Sequence, residues 1–220
     1  MMLEALLFDL DGVITDTAEF HYQAWQRLAD ELSISFNRER NQLLRGIGRM
    51  ESLDIILEKS AKVFSPAQKA ELADTKNAYY KSLILDITPS DILPGMERLL
   101  SAAKERGIKM ALASASANGP TILERLGISD MLQYVVDPSK LTKGKPDPEI
   151  FLKAAAGLGV HPSHCVGLED AHAGIAAIKG AGMYAVGIGA HLHDAPCDWR
   201  VEETSEISLD EIVLRVAKAS

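Results

Sequence analysis

Five short apolar segments, spread unevenly along the 220 residues, constrain the fold more than any other feature of this sequence. They lack clean alternation of polar and apolar residues, and such segments are typical of strands buried on both faces. Helical segments lie between the later ones. This alternation predicts an α/β fold with a doubly wound, mainly parallel sheet and a Rossmann-like core. The segments are Ala5–Phe8, Ile108–Ala113, Tyr134–Val136, Cys165–Leu168 and Tyr184–Ile188.

Between the first and second of these segments, the sequence has only helical signals. Three groups of residues predict helices: Ser65-Pro66 is a typical helix start, and two apolar patterns recur at helical spacing. The apolar patterns are His21, Trp25, Leu28 and Leu32, and Leu53, Ile56 and Leu57. We therefore predict an inserted all-α helical cap domain, residues 16–93, in a core of residues 1–15 and 94–220. Both connections leave near the carboxyl end of the first strand, so the cap can act as a lid over a ligand.

The overall charge and composition exclude several classes of protein. A formal net charge of −8 and a pI near 5.3 argue against a nucleic-acid partner. No apolar run approaches the roughly 18 residues of a membrane span, and the first residues lack the basic region of a signal peptide. Cys165 and Cys197 form neither a metal-type spacing nor a disulfide framework. We expect a cytoplasmic monomer that binds no nucleic acid and no membrane.

Two carboxylates follow the first strand. Asp9 and Asp11 are two residues apart in an extended chain, so their side chains should point to the same side. Gly12 then allows a sharp turn. A polar turn after a strand would explain these residues as well. That alternative does not explain a second negative charge beside the first, which a bound cation would neutralise.

A second acidic pair, Glu169 and Asp170, follows the fourth strand. Acidic residues often cap a helix N-terminus, and this is the simpler explanation of the pair taken alone. However, the carboxyl ends of parallel strands share one edge of the sheet. Three or four carboxylates, from Asp9, Asp11, Glu169 and Asp170, should therefore meet there. Such an oxygen-rich site suits Mg²⁺.

A lysine should face the same edge. Lys145 precedes Pro146 and is biased to an extended conformation. It lies two residues before Asp147, which we predict to cap a helix that has Pro148 as its first residue. Lys145 could pair with phosphate oxygens and with a carboxylate. A solvated loop lysine is an equally good explanation, and Lys143 is a nearby competitor for the role.

A hydroxyl group is the last of the chemical groups predicted at this edge of the sheet. Ser114 follows the second strand beside small residues, whose backbone N–H groups could bind an oxyanion together with it. Helix capping by Ser116 or Asn118 is the alternative. Together the four strand ends supply a nucleophile, an acid/base, a cation site and phosphate-binding groups. Phosphoryl transfer depends mainly on positioning and charge neutralisation, so we predict a Mg²⁺-dependent phosphotransferase that forms an aspartyl-phosphate on Asp9.

These motifs resemble those of the haloacid dehalogenase superfamily, and the resemblance extends over essentially the whole chain. Leu7–Val13 is similar to the first motif of that superfamily, and Gly167–Ala171 is similar to the fourth. Ser114 lies at the hydroxyl position of the second motif, and Lys145 matches the third.

The resemblance implies a role for each carboxylate. It implies that Asp9 is the nucleophile and Asp11 the general acid/base. It implies that Mg²⁺ is held by Asp9, the backbone of the Leu10–Asp11 region, Glu169 and Asp170.

Within the superfamily, the cap residues resemble those of the β-phosphoglucomutase subfamily, which interconverts β-glucose 1-phosphate and glucose 6-phosphate through a 1,6-bisphosphate. Gly46–Leu53 is similar to the cap segment whose arginine, here Arg49, holds the phosphate that is not being transferred. The resemblance implies a sugar phosphate as substrate, a sugar 1,6-bisphosphate as activator and intermediate, and two sets of binding residues. Phosphate would be bound by Ser114, Ala115 and Lys145, and the rest of the substrate by Thr17, His21, Gly46, Arg49, Ser52, Lys76, Ser116 and Asn118.

Several alternatives stay open at this stage. Ala117 stands where the subfamily pattern leads us to expect a lysine. His21 would also suit a packed histidine, and Arg49 a solvated loop arginine. A sugar-phosphate phosphatase, in which water attacks the phosphorylated Asp9, would use the same core motifs. A non-catalytic sugar-phosphate sensor is a further alternative, although it would have no use for two adjacent acids.

Overall fold

The computed structural model describes residues 2–44 and 46–219. Within these ranges, six parallel strands form one sheet in the order β3-β2-β1-β4-β5-β6. The strand order reverses between β1 and β4, which is where doubly wound sheets bind ligands. The fold class predicted from the sequence is confirmed. The strands are β1 (Ala5–Phe8), β2 (Lys109–Leu112), β3 (Tyr134–Val135), β4 (Cys165–Glu169), β5 (Tyr184–Ile188) and β6 (Trp199–Val201).

Helices cover both faces of this sheet, and others lie between β1 and β2. The helices of the described ranges are α1 (Ala18–Glu31), α2 (Arg38–Asn41), α3 (Arg49–Leu57), α4 (Pro66–Leu83), α5 (Met96–Glu105), α6 (Gly119–Arg125), α7 (Glu149–Leu158), α8 (His172–Gly180) and α9 (Leu209–Lys218). None of them combines the length and the apolar character that a membrane span requires.

The central strand β1 shows why its sequence does not alternate. Successive side chains of a strand point to opposite faces. Leu6 and Phe8 pack in a cluster with residues of α5, α6 and α9, whereas Ala5 and Leu7 pack in another with residues of α7 and α8. All four side chains are fully buried, so every position of the strand is apolar.

The helices α1, α3 and α4 form a separate hydrophobic cluster, which includes Trp25, Leu28, Leu53 and Ile56. This segment enters and leaves the core through two linkers that lie side by side. The backbone N–H of Leu93 donates to the carbonyl of Ile14 at 2.9 Å, and the Thr15 hydroxyl donates to the carbonyl of Asp91 at 2.7 Å. The exact division between cap and core at residues 15/16 and 93/94 stays a prediction.

Two details differ from the sequence predictions. The edge strand β6 was not predicted, because it has three residues and the side chain of the middle one, Arg200, is exposed. The helix α7 begins at Glu149 and Pro148 is its N-cap, so the predicted start was one residue too early. The Asp147 side chain still accepts a hydrogen bond from the backbone N–H of Glu149 at 3.0 Å.

The predicted start of α4 at Ser65-Pro66 is confirmed. The Ser65 hydroxyl accepts from the backbone N–H of Gln68 at 3.3 Å, and the Gln68 side chain accepts from the backbone N–H of Ser65 at 2.9 Å. This reciprocal capping box satisfies two N–H groups that otherwise have no partner within the helix.

We expect Ser65→Ala to lower the free energy of unfolding by about 1 kcal/mol, because it removes this cap from the helix that carries Lys76. Ser82→Ala, on an exposed position of the same helix, is the control, and we expect it to change stability by less than about 0.5 kcal/mol. Urea denaturation of both variants measures the difference. Equal stabilities would show that the capping box contributes nothing.

Candidate active site

A cavity lies at the carboxyl ends of β1, β2 and β4, beneath the cap helices. The space between its core wall and its cap wall, open solvent included, is about 870 Å³. Its core wall consists of Asp9, Asp11, Ser114, Ala115, Ser116, Ala117, Asn118 and Asp170. Its cap wall consists of Ala18, His21, Trp25, Asn41, Leu44, Gly46, Ile47, Arg49, Ser52, Lys76 and Asn77.

A buried ion-pair cluster forms the floor of the site. The ammonium nitrogen of Lys145 lies 2.7 Å from a carboxylate oxygen of Asp9 and 2.7 Å from one of Glu169. All three side chains are buried. Burial alone would lower the pKa of Lys145, but the attraction of Asp9 and Glu169 outweighs it and raises that pKa. Lys145 therefore stays charged at neutral pH.

Three buried carboxylates meet beside this lysine. Asp9, Glu169 and Asp170 each offer one oxygen, and these atoms all lie within 4.8 Å of one another. Burial raises the pKa of Glu169, and the negative charge of Asp9 raises it further. Because one ammonium cannot neutralise three carboxylates, this cluster suits a cation that binds oxygen ligands.

Two glycines leave the space that these carboxylates occupy. A Cβ atom at Gly174 would lie 1.9 Å from an oxygen of Glu169. A Cβ atom at Gly12 would lie 2.3 Å from an oxygen of Asp170, and the φ angle of Gly12 is +72°. A larger residue at either position would displace a carboxylate.

The side chain of Asp11 points elsewhere. One of its oxygens accepts hydrogen bonds from the backbone N–H and the hydroxyl of Thr17, at 2.9 and 2.5 Å. The other oxygen lies 3.8 Å from Nε2 of His21. The Asp11 carboxylate therefore lies outside the cluster formed by Asp9, Glu169 and Asp170, and a metal-binding role of the backbone at Leu10–Asp11 stays a prediction. The N–H of Gly12 donates to the carbonyl of Thr15, and this turn brings Thr17 back towards Asp11.

The surroundings of Asp11 suit proton transfer. Burial raises its pKa to about 6, the charge of Asp9 adds to this effect, and the hydrogen bonds from Thr17 oppose it. A carboxyl group with such a pKa can both accept and donate a proton near neutral pH.

The cap wall carries clustered positive groups. The ammonium nitrogen of Lys76 lies 2.8 Å from Nδ1 of His21. Burial and the nearby charge of Arg49 lower the pKa of Lys76 to about 7. Burial, together with the charges of Lys76 and Arg49, also lowers the pKa of His21. An anionic ligand here would relieve this mutual repulsion.

The loop that follows β2 faces both parts of the site. The hydroxyl of Ser114 accepts from the backbone N–H of Ser116 at 3.1 Å, and the hydroxyl of Ser116 accepts from the N–H of Asn118 at 3.3 Å. Asn118 precedes α6 but makes no side-chain cap. Its amide instead donates to the Asn77 side chain on the cap at 2.9 Å.

Most of the predicted residues line the cavity, but three lie behind its wall. Thr17 contacts Asp11, and Lys145 and Glu169 contact Asp9 or each other. Sequence analysis missed five cavity residues whose larger side chains could contact a ligand: Trp25, Asn41, Leu44, Ile47 and Asn77. The only sequence feature that pointed to Asn77 was its position next to Lys76. Helical spacing shows which residues share one face of a helix, but it does not show what that face packs against.

Comparison with known proteins agrees with this geometry. Residues 3–182 match the family model of the haloacid dehalogenase-like hydrolases. The chain is 50% identical over 210 residues to the β-phosphoglucomutase of Bacillus subtilis, covering 94% of this chain and 93% of that protein. It is 29% identical to the phosphorylated carbohydrates phosphatase of Thermotoga maritima, over 82% of each chain.

A solved structure gives the same result in three dimensions. The crystal structure of β-phosphoglucomutase from Clostridium difficile superposes with a TM-score of 0.96, at 46% identity and over 99% of each chain. The chain therefore belongs to the haloacid dehalogenase-like hydrolases and, among these, to the β-phosphoglucomutase family.

Proposed function

We propose that this protein is a phosphomutase that interconverts β-glucose 1-phosphate, or a similar β-sugar 1-phosphate, with the corresponding 6-phosphate. The observation that carries the proposal is that one cavity has polar groups suited to phosphate at two ends. Asp9 and Ser114 lie at the core end, with Lys145 behind Asp9, and Arg49 and Lys76 lie at the cap end. We infer that each end binds one phosphate. A sugar bisphosphate needs both ends at once, whereas a monophosphate that is only hydrolysed needs one.

The reaction consists of two phosphoryl transfers through Asp9. In the first, the bond between phosphorus and the Asp9 carboxylate breaks, a bond to the 6-oxygen of the sugar forms, and Asp11 takes the hydroxyl proton. The bisphosphate then binds in the opposite orientation. In the second transfer, Asp9 attacks the phosphorus at the 1-position, the bond to the 1-oxygen breaks, and Asp11 returns the proton to that oxygen.

The core residues prepare Asp9 for this chemistry. Lys145 holds the carboxylate in place and neutralises phosphate oxygens that approach it. The Ser114 hydroxyl and the backbone N–H of Ala115 line the cavity beside it and can donate to the same phosphate. Asp9, Glu169 and Asp170 fit Mg²⁺ by their oxygen donors and their excess negative charge. When bound, Mg²⁺ would neutralise charge on the transferring phosphoryl oxygens.

The cap residues bind the rest of the substrate and exclude water. Arg49 is the only arginine among the cavity residues of the described chain, and its fork of N–H donors suits a phosphate that is not being transferred. His21 and Lys76 lie between Arg49 and Asp11. The remaining predicted contacts, Gly46, Ser52, Ser116 and Asn118, surround the space left for the sugar ring. A cap closed over this space keeps water from the phosphorylated Asp9.

One observation favours a sugar-phosphate phosphatase as the second candidate. The methyl group of Ala117 lines the cavity where the subfamily pattern would have a lysine. Without that charge the cavity binds a second phosphate less tightly. Water could then compete better with the sugar hydroxyl for attack on the phosphorylated Asp9. In that reaction Asp11 would accept a proton from water.

We expect Asp9→Asn to abolish turnover while the protein still folds and melts cooperatively, because a neutral amide does not accept the phosphoryl group. The assay supplies β-glucose 1-phosphate, Mg²⁺ and trace β-glucose 1,6-bisphosphate, and measures glucose 6-phosphate and free phosphate in parallel. Asp130→Asn, on an exposed core position, is the control. Wild-type activity in Asp9→Asn would show that Asp9 is not the nucleophile. If the wild-type protein releases mainly free phosphate, it is a phosphatase and not a mutase.

Activity should be lost in a chelator and return with Mg²⁺. We expect Gly174→Ala to raise the Mg²⁺ concentration for half-maximal activity on the order of 10–100-fold, because its methyl group displaces Glu169. Gly180→Ala in the same helix meets Pro148 only at ordinary contact distance, 3.5 Å, and should keep the wild-type requirement. The melting temperature with and without Mg²⁺ reports binding independently of activity. A wild-type Mg²⁺ requirement in Gly174→Ala would contradict the metal assignment.

Arg49→Ala should reduce conversion of β-glucose 1-phosphate to glucose 6-phosphate on the order of 10–100-fold. The lost charge-assisted pair contributes about 1.5–3 kcal/mol. Hydrolysis of acetyl phosphate should be unaffected, because this small molecule does not reach the cap. Arg38→Ala is the matched control, since Arg38 pairs with Glu19 on the exposed surface of the cap. An equal loss in both reactions would show that Arg49 supports the fold and not the second phosphate.

A further inference from the structure

Tyr80 is fully buried where the cap, the first linker and the core meet, and nothing proposed above uses its hydroxyl group. It lies on α4, and its ring stacks on that of His21 with 4.1 Å between centroids. Its hydroxyl oxygen is 2.7 Å from the hydroxyl oxygen of Thr17. Tyr80 is not among the residues that line the cavity, so any effect on the reaction must pass through a neighbour.

The direction of the hydrogen bond between Tyr80 and Thr17 follows from counting hydrogens. A threonine hydroxyl has one hydrogen to donate, and an ionised carboxylate only accepts. The Thr17 hydroxyl donates that hydrogen to Asp11. In the bond between the two hydroxyls, Tyr80 is therefore the donor whenever Asp11 is ionised.

Ser116, on the core loop, acts on the same hydroxyl, since its side chain opposes the rise in the pKa of Tyr80 that burial causes. Two hydrogen bonds run in one direction, from Tyr80 to Thr17 and from Thr17 to Asp11. Each bond in such a chain polarises the next.

We propose that Tyr80 is a positioning residue for the phosphoryl transfer. Its hydroxyl fixes the rotation of the Thr17 hydroxyl, which in turn holds the Asp11 carboxylate in the orientation that meets the sugar oxygen. Tyr80 belongs to the cap and Asp11 to the core, so the two hydrogen bonds connect the cap to the acid/base through Thr17. This inference rests on the proposed function, because it assumes that Asp11 transfers the proton.

The first test compares two neighbouring tyrosines. Tyr80→Phe removes one oxygen atom and retains the ring that packs on His21. We expect it to lower kcat for glucose 6-phosphate formation on the order of 10-fold, with KM changed by less than about 2-fold, because the acid/base loses its orientation and the cavity wall stays intact. Tyr79→Phe is the control, since its hydroxyl donates to Glu31 away from the cavity, and it should match the wild type.

Two further measurements separate positioning from loss of structure. Acetyl phosphate has a good leaving group that needs no proton from Asp11, so phosphorylation of Asp9 by it should keep the wild-type rate in Tyr80→Phe. A double-mutant cycle with Thr17→Val tests whether Tyr80 acts on Asp11 through Thr17. If Tyr80 acts through Thr17, the double variant is no slower than Thr17→Val alone.

Three results would overturn the proposal: fold-changes that multiply in the double variant, an equal loss of acetyl phosphate reactivity, or the same defect in Tyr79→Phe. Failure of the proposed function is visible separately, because the wild type would then release free phosphate and form little glucose 6-phosphate. In that case the double-mutant cycle of Tyr80→Phe and Thr17→Val is repeated with the rate of phosphate release as the measured quantity. Coupling between Tyr80 and Thr17 would support the positioning role there, and independent effects would reject it.

Discussion

The contact of one buried ammonium group with two buried carboxylates holds this site together. Lys145 lies 2.7 Å from both Asp9 and Glu169, and it reaches them from a loop distant in sequence from β1 and β4. Removing charges from water costs several kcal/mol per ion, and only close attraction between opposite charges offsets this cost. With Asp170 added, the group of charges remains negative, since three carboxylates surround one lysine. That excess is the electrostatic reason why a divalent cation suits the place where Asp9 has to act.

The two aspartates of the first motif have different surroundings, and this difference separates their roles. Asp9 pairs with a lysine and lies beside two more carboxylates. Asp11 is half-buried and accepts hydrogen bonds from Thr17, and its pKa is raised to about 6. Pairs of acids whose environments differ in this way are typical of sites where one group acts as nucleophile and the other exchanges protons.

The cap contributes opposite charge to the same space. Besides burial, the charges of Lys76 and Arg49 lower the pKa of His21, and the charge of Arg49 lowers that of Lys76. The floor of the cavity is therefore rich in carboxylates, and its cap side is rich in basic groups. A phosphorylated ligand bound together with a cation would offset the charges on both sides, so its binding would be coupled to the approach of cap and core.

Several features could be predicted from local sequence alone, and others could not, for identifiable physical reasons. Unbroken apolar runs such as Ala5–Phe8 predicted buried parallel strands, because burial on both faces leaves no polar position. Because the carboxyl ends of parallel strands share one edge of the sheet, we predicted that Asp9, Glu169 and Asp170 lie close together, and they do. The edge strand at Trp199–Val201 was not recognised, because the exposed Arg200 at its centre interrupts the apolar run.

The sequence by itself determined the α/β class, the inserted helices and the set of chemical groups at the sheet edge, since each depends on residue type and spacing along the chain. Only the tertiary structure decided that Asp11 turns towards Thr17, because this depends on the closed turn at Gly12. It also decided that Asn77 meets Asn118 and that Tyr80 meets Thr17. Helical spacing tells which residues share a face, but the partner of that face is set by how the cap packs on the core.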